Sequence, residues 1–379
     1  MVAIDSYAGG DGRLSPLSTP SATRAVLEAH GIGTKYTLGQ NFLVNDDVLK
    51  KIIALAEVGE NDRILEVGPG IGTLTIALLK HAAGVVAIER DPDLPVVLAD
   101  TLHPWREKFA LIEKDALDVT RDDIVAAMVE IGGDTGCPDR ASSAANETAQ
   151  WAVSQSEDCL SESGYPVAPP QEDLQLSLPS KLVANLPYAV AATVVLDYFE
   201  NFPFLDSATI MVQKEVADRM AAAVGTKNYG AYTVKLGLYA EPVGRFAVGP
   251  GNFFPPPRVD SAVIRLNRRV PLMADGAPAS PEVIAAAALM ADAAFTNRRK
   301  TIANSCKTYF SGRGPISLGA GPSAQEGVPG IVLPDGAAIA ERLAAIFDAA
   351  TIDPRRRGET LTQQEFLALG AALLKVTAA

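Results

Sequence analysis

Cysteine and histidine are both scarce, with three of each among 379 residues. Cys137, Cys159 and Cys306 are odd in number and form no CxxC pair, which excludes a disulfide framework and leaves no zinc signature. They read as reduced thiols of a cytoplasmic protein. His30, His81 and His103 lack metal-ligand spacing, so no metal is expected. No stretch approaches the roughly 18 consecutive apolar residues that a membrane-spanning helix needs. Residues 1–20 are rich in Gly, Ser and Pro and lack the apolar segment of a secretory signal, and residues 1–22 are expected to form a disordered leader. Positive charge is also short: 33 Lys and Arg stand against 45 Asp and Glu, a net charge of −12. Taken whole, that balance disfavours a nucleic-acid partner.

The distribution of charge changes this reading. Residues 132–179 hold eight carboxylates against Arg140 alone. Elsewhere Arg298-Arg299-Lys300, Arg355-Arg356-Arg357 and the group Arg265, Arg268 and Arg269 form basic clusters. Phosphate attraction is screened beyond about 10 Å, so such clusters count for more than the total.

What the chain has in quantity is periodic apolar sequence. Asn45 can cap a helix reaching about Glu57, with Val48, Leu49, Ile52, Ile53 and Leu55 on its apolar face. Arg63–Val67 reads as a strand, followed by a Gly-rich turn and a helix to His81. Val85–Ile88 is a second strand, with a helix opened by Pro92 after it; Ala110–Ile112 is a third strand, and 122–130 a helix. The pattern stops over 132–179, an acidic segment read as a disordered insertion, and resumes with a strand at 181–184, a helix at 190–199 and a strand at 208–212. Two more apolar runs lie at 234–239 and 261–266. Strands alternating with helices imply an α/β domain, about 23–270, built on a parallel sheet covered on both faces. Residues 271–379 turn helical: 281–295, 337–349 and 366–374, the last behind a capping box from Thr362 to Glu365. A Gly/Pro/Ser-rich loop insertion interrupts them at 311–335.

Glu66-Val67-Gly68-Pro69-Gly70-Ile71-Gly72 ends a strand and opens a helix. Glycines there let main chain approach a ligand closely, although such a loop by itself is equally a tight strand–helix turn. Glu89, ending the next strand, adds a carboxylate able to accept from ribose hydroxyls. Asp115 follows the third strand at the same sheet edge. The spacing is GxGxG, with Thr73 where the dinucleotide fingerprint GxGxxG requires its last Gly. That favours S-adenosylmethionine, which has no pyrophosphate to cradle, over NAD.

Asn185-Leu186-Pro187-Tyr188 follows the fourth strand. The amino group of adenine is a poor nucleophile because its lone pair is delocalised into the ring. Two acceptors at its N–H groups, the Asn185 side-chain oxygen and the Leu186 carbonyl, would draw the nitrogen towards a tetrahedral shape. Pro187 would stiffen the turn, and Tyr188 would stack on the base. Alone, the tetrapeptide is also an ordinary strand-ending turn. Phe253-Phe254-Pro255-Pro256-Pro257-Arg258 is a stiff segment that could offer Phe254 as a second stacking face, or plug it against the core.

Together these residues resemble the ribosomal RNA adenine N6-dimethyltransferase family that bacteria use on small-subunit rRNA. Leu38–Leu43 matches its first motif, Glu66–Gly72 its cofactor loop, Ile88–Asp91 its ribose strand, Asp115-Ala116 its adenine-side acid and Asn185–Tyr188 its catalytic tetrad. Gln213–Val216, Phe254–Val263, Phe295–Thr301 and Ile352–Arg356 with Glu359–Leu361 also match, in order, from about 25 to 370. The resemblance implies a Rossmann-like class I methyltransferase sheet with a small C-terminal all-α domain that docks rRNA. It implies cofactor contacts from Asn41, Leu43, Gly68, Gly70, Glu89, Asp115 and Asn185, and substrate contacts from Tyr188, Phe254, Arg298, Arg299 and Lys300. The implied reaction is N6-dimethylation of two adjacent adenosines near the 3′ end of 16S rRNA in an assembling small subunit, by a monomer using S-adenosylmethionine. Two rivals remain: a dimethyltransferase of large-subunit rRNA, and a non-catalytic ribosome-assembly or transcription factor on the same fold.

Overall fold

The computed structural model describes residues 12–32, 41–131, 178–313 and 337–378. Chain order begins with α1 (Pro20–Ala29), β1 (Phe42–Leu43) and α2 (Asp46–Ala56). Then come β2 (Arg63–Val67), α3 (Thr73–Leu79), β3 (Gly84–Glu89), α4 (Leu94–Thr101), β4 (Phe109–Glu113) and α5 (Arg121–Ile131). Beyond the acidic segment lie β5 (Lys181–Asn185), α6 (Ala191–Asn201), β6 (Ser207–Gln213), α7 (Lys214–Met220), α8 (Ala231–Gly237), β7 (Ala240–Val248), β8 (Phe253–Phe254) and β9 (Ser261–Arg268). Four helices complete the chain: α9 (Pro281–Phe295), α10 (Ile302–Phe310), α11 (Ala337–Ala349) and α12 (Gln363–Ala378).

The main sheet runs β4-β3-β2-β5-β6-β9-β7. Its first five strands are parallel, and β9 and β7 are antiparallel to their neighbours. β2 is buried along nearly its whole length and β3 throughout, as apolar strands covered on both faces must be. One apolar layer packs α5 and α6 against the sheet, with Tyr198 and Phe199 fully buried. The opposite layer uses α1 to α4, with Leu49, Ile76 and Leu98 at its centre. A third cluster joins α9 to α12 and also takes Tyr229 and Val234, so the helical core recruits residues from before 270. α9 and α12 approach closely at Gly370, where an added Cβ would come within 2.6 Å of the Ala287 nitrogen.

Several expectations hold in detail. Asn45 caps α2, its side-chain oxygen accepting from the Asp47 and Val48 N–H groups at 2.9 and 3.3 Å. The capping box forms: Thr362 N–H donates to Glu365 at 2.8 Å and Glu365 N–H to the Thr362 hydroxyl at 3.2 Å. Other expectations need correction. The leader read as 1–22 is packed from Leu14 onward: Leu17 is fully buried, and the Asp46 carboxylate accepts from the Leu14 and Ser15 N–H groups at 2.8 and 3.3 Å. Residues 1–11 lie outside the described residues. The apolar run at 234–239 belongs to α8 and its exit, whereas a strand the sequence hid, β7, follows it on the sheet edge. The helix expected from Pro92 begins at Leu94, with Pro95 in its first turn. Most of the acidic segment and of the second loop fall outside the described residues, but Leu178, at the segment's end, is buried in the core.

Candidate active site

Crossing the carboxyl ends of the parallel strands brings distant sequence into one line. Asp115 follows β4, Glu89 ends β3, Gly68 and Gly70 follow β2, Asn185 ends β5 and Gln213 ends β6. All of them line a single cleft of about 560 Å³, as do Asn41, Leu43, Leu186, Pro187 and Tyr188. Neighbouring strands lie about 4.8 Å apart, so the step from β4 to β5 spans roughly 14 Å. Ligands of open α/β sheets bind at this edge.

The Gly loop is shaped by φ angles that side chains disfavour: +69° at Gly68, +60° at Gly70 and +88° at Gly72. Contacts close it further. A Cβ on Gly70 would lie 3.1 Å from the Phe42 ring, and one on Gly68 3.5 Å from Pro187. The Phe42 ring is set there because β1 pairs with β8, Phe42 opposite Phe254.

The tetrad is held from three sides. The Asn185 amide nitrogen donates to the Asn41 carbonyl at 3.1 Å, which leaves its oxygen as an acceptor. The Leu186 N–H donates to the Met211 carbonyl at 3.1 Å, and the Pro187 carbonyl accepts from Val190 and Ala191. Among the described residues no donor reaches the Leu186 carbonyl. The Tyr188 hydroxyl bonds to the Ser261 hydroxyl at 2.6 Å, which fixes the ring at the cleft rim, and partial burial pushes its ionisation up.

Carboxylates dominate the cleft. Burial pushes Glu66 up to about 8, with the Glu89 charge adding to the shift and Thr75 opposing it. One Glu66 oxygen is buried without a hydrogen-bond partner. Burial also raises Glu89, against the pull of N–H groups: its Oε1 accepts from Arg90 at 2.9 Å and Asp91 at 2.8 Å. Asp115 accepts from the Leu117 N–H at 3.1 Å and pairs with Arg90 at 2.8 Å. Burial leaves Glu66 protonated at neutral pH, so the cleft offers Glu89 and Asp115, with Arg90 beside the latter, to a ligand's positive groups.

Comparison with known proteins decides the family. The model of the ribosomal RNA adenine dimethylase family matches residues 33–314. The chain belongs to the ribosomal RNA adenine dimethylase family. This dimethylase is 32% identical over 360 residues to "Ribosomal RNA small subunit methyltransferase A" of Geobacillus sp. (strain WCH70), covering 95% of this chain and 98% of that one. It is 33% identical over 363 residues to the protein of the same name from Enterococcus faecalis, covering 95% and 97%. Among solved structures, a dimethyladenosine transferase from Plasmodium falciparum superposes with a TM-score of 0.56 at 19% identity, over 88% of this chain and 98% of that chain. The 23S rRNA methyltransferase ErmE superposes with a TM-score of 0.50 at 20% identity, over 88% and 99%. These likenesses show the class I methyltransferase fold, which by itself leaves the target open.

Not every candidate of the dimethylase joins the cleft. Phe254 does not line it; the Arg24 guanidinium lies over its ring, 5.3 Å from the centroid. Arg298 is engaged within the chain, pairing with Glu359 at 2.7 Å and donating to the Thr226 carbonyl at 2.9 Å and to that of Lys227. Arg299 and Lys300 beside it are exposed. Conversely Phe42, Glu66, Arg90, Lys114 and Gln213 line the cleft without having been singled out as site residues. Glu66 could have been found as the acid opening the Gly motif; nothing local marks Lys114. Burial pushes the Cys306 thiol up to about 12, consistent with a core residue of the helical cluster.

Proposed function

We propose that this dimethylase converts two adjacent adenosines near the 3′ end of small-subunit rRNA to N6,N6-dimethyladenosine, using S-adenosylmethionine, during ribosome assembly. One observation supports the chemistry above the rest: the Gly loop, Glu89, Asp115 and Asn185–Tyr188 share one cleft along one sheet edge. The small-subunit target rests on the names of the relatives. A monomer acting on cytoplasmic rRNA completes this reading; among the described residues no helix is long and apolar enough to cross a membrane.

The residues fit the cofactor. A volume near 560 Å³ lies within the usual range of small-molecule sites. Glu89 would accept from the ribose hydroxyls, the main chain at Gly68 and Gly70 would allow the amino-acid part close approach, and the carboxylates would stabilise its positive charges. When bound there, S-adenosylmethionine supplies an electrophilic methyl group on sulfur to the nitrogen.

The chain's own work is on the adenine. Its base enters beside Tyr188, whose ring is steadied by Ser261. The N6 hydrogens then donate to the Asn185 oxygen and the Leu186 carbonyl. Asn41 and the β6 main chain fix both acceptors beforehand, so little reorganisation is needed as the nitrogen pyramidalises. No base has to act first, because the proton becomes acidic only once the nitrogen carries the new methyl. Extruding the base costs a few kcal/mol, which stacking offsets.

Transfer of labelled methyl to undermethylated small subunits tests this, with mature small subunits and large subunits as controls. Two methyls on each of two adjacent adenosines are expected. Labelling of large-subunit RNA alone would move the target. Cofactor binding without transfer to any RNA would leave an assembly factor.

A further inference from the structure

We propose that Asn252 is a positioning residue for methyl transfer: it anchors residues 41–45, the strap whose first carbonyl sets the Asn185 amide. The inference rests on the reading of Asn185 above and deepens it.

The strap is held at three points. At one end the Asn41 carbonyl accepts from Asn185 Nδ2 at 3.1 Å. In the middle Phe42 and Leu43 pair with Phe254 and Phe253. At the other end stands Asn252, on the turn that precedes β8. Its main-chain carbonyl accepts from the Val44 N–H at 2.8 Å, which carries the ladder one residue further. Its side-chain oxygen accepts from Asn45 Nδ2 at 2.8 Å, while its own Nδ2 donates to the Gly249 carbonyl at 2.8 Å. Asn45 in turn uses its oxygen to cap α2. Asn252 therefore ties the turn before β8 to the strap at the point where the strap enters α2.

β1 and β8 have two residues each, and a two-stranded ladder is marginal in water even at greater length. The tether at Asn252 supplies what so short a ladder lacks. The consequence falls on Asn185, because a carboxamide has two orientations of nearly the same shape, with donor and acceptor exchanged. A main-chain carbonyl can only accept. Asn41 therefore selects the orientation that spends the Asn185 nitrogen on the strap and leaves the oxygen for the base. If the strap shifts, that selection weakens, and Asn185 can present a donor where the N6 hydrogens need an acceptor. Asn252 does not itself line the cleft, so it acts on the reaction through these contacts.

The test combines kinetics with a signal from Asn185 itself. Single-turnover transfer to undermethylated small subunits is measured at saturating S-adenosylmethionine, with thermal melting alongside. The proteins are wild type, Asn252→Ala, Asn45→Ser, Asn185→Ala and the double variant of Asn252→Ala with Asn185→Ala. Asn45→Ser keeps a capping oxygen for α2 but gives up the amide that reaches Asn252. Asn252→Ala and Asn45→Ser should each slow transfer about tenfold, within what a small misplacement can cost. In the Asn185→Ala background, Asn252→Ala should slow it by less than about twofold, because the residue it acts through is gone. In protein isotope-labelled at asparagine nitrogen, the Asn185 side-chain amide signal is identified by its absence from Asn185→Ala. That signal should shift or broaden in both tether variants. Full rates in both, a loss that persists undiminished without Asn185, or an unmoved Asn185 signal overturns the assignment. If wild type methylates no RNA, the methyl-transfer reading falls by itself. The Asn185 signal then decides the tether, moved in its favour and unmoved against it.

Discussion

The side-chain amide of Asn185 donates to the main-chain carbonyl of Asn41 at 3.1 Å, bridging 144 residues of sequence. The bond ties the strand end that carries the tetrad to the segment that covers the cleft. It also decides which atom of the amide is left to accept. Asn185→Ala is therefore expected to lower the single-turnover methylation rate by on the order of a hundredfold or more, the scale for losing one preorganised polar contact. Affinity for small subunits should stay within about twofold. Rapid-quench rates together with filter binding check both halves; an unaltered rate would remove Asn185 from the mechanism.

Tyr188 and Ser261 form a second pair of this kind, at 2.6 Å. Tyr188→Ala should weaken base capture by about 1–3 kcal/mol, whereas Tyr188→Phe keeps the stacking face and should lose much less. Single-turnover titrations against substrate concentration separate the two. Equal losses would assign the effect to the hydroxyl.

Glu66 predicts a pH dependence. Its folded-state value of about 8 stands above the ordinary 4.5, so the folded state binds the proton more tightly than the unfolded chain does. The resulting stability is complete below about 4.5 and is lost as pH rises through about 8. In urea melts without cofactor, Glu66→Gln should gain on wild type between pH 5 and about 8 and level off above that. A constant difference across that range would mean that Glu66 does not titrate in it.

Gly370 lets α12 lie against α9. An added Cβ would come within 2.6 Å of the Ala287 nitrogen and 2.7 Å of the Val283 carbonyl oxygen, which are main-chain atoms and cannot swing aside. Alanine's helix propensity favours the substitution by up to about 1 kcal/mol, but overpacking typically costs about 1–3 kcal/mol. Gly370→Ala should thus lower stability, read as an earlier denaturation midpoint with an unchanged slope.

The basic run at 298–300 divides by role. Arg298 braces Glu359 and two main-chain carbonyls, so Arg298→Ala should cost stability, about 1–2 kcal/mol for charged hydrogen bonds lost at a half-exposed site. Arg299→Ala and Lys300→Ala should leave the melting temperature nearly untouched and reduce the salt dependence of RNA binding instead. Melting curves and binding isotherms at several salt concentrations would reveal the reverse pattern.

The legible parts of this molecule were those where burial is continuous. β2, β3, β5 and β6 announce themselves as apolar runs because both their faces are covered. β7 is exposed over most of its length, carries Pro242 and is bulged near Gly244, so its strand identity comes from pairing with β9 and not from its own pattern. The run at 234–239 is too short for periodicity to tell helix from strand. Leu14–Ser18 was hidden by its small polar neighbours, although one side chain, Leu17, anchors it. In the site, acids and amides at strand ends were readable because the topology fixes where strand ends go. The partners of Arg90 and Phe254 were not, since Asp115 and Arg24 are chosen by side-chain direction.

The strand order carries a cost during synthesis. β2 sits between β3 and β5, and more than a hundred residues separate Val67 from Lys181. At roughly 5–20 residues per second, the ribosome needs on the order of 6–20 s to make that stretch. Through this interval the growing chain can pair β2 with β3 and β3 with β4, but the other side of β2 has no partner. An apolar edge left open in this way is where neighbouring nascent chains can add strands. The same central position that sets the Gly loop between Glu89 and Asn185 therefore makes β2 the strand most in need of shielding while the protein is being born.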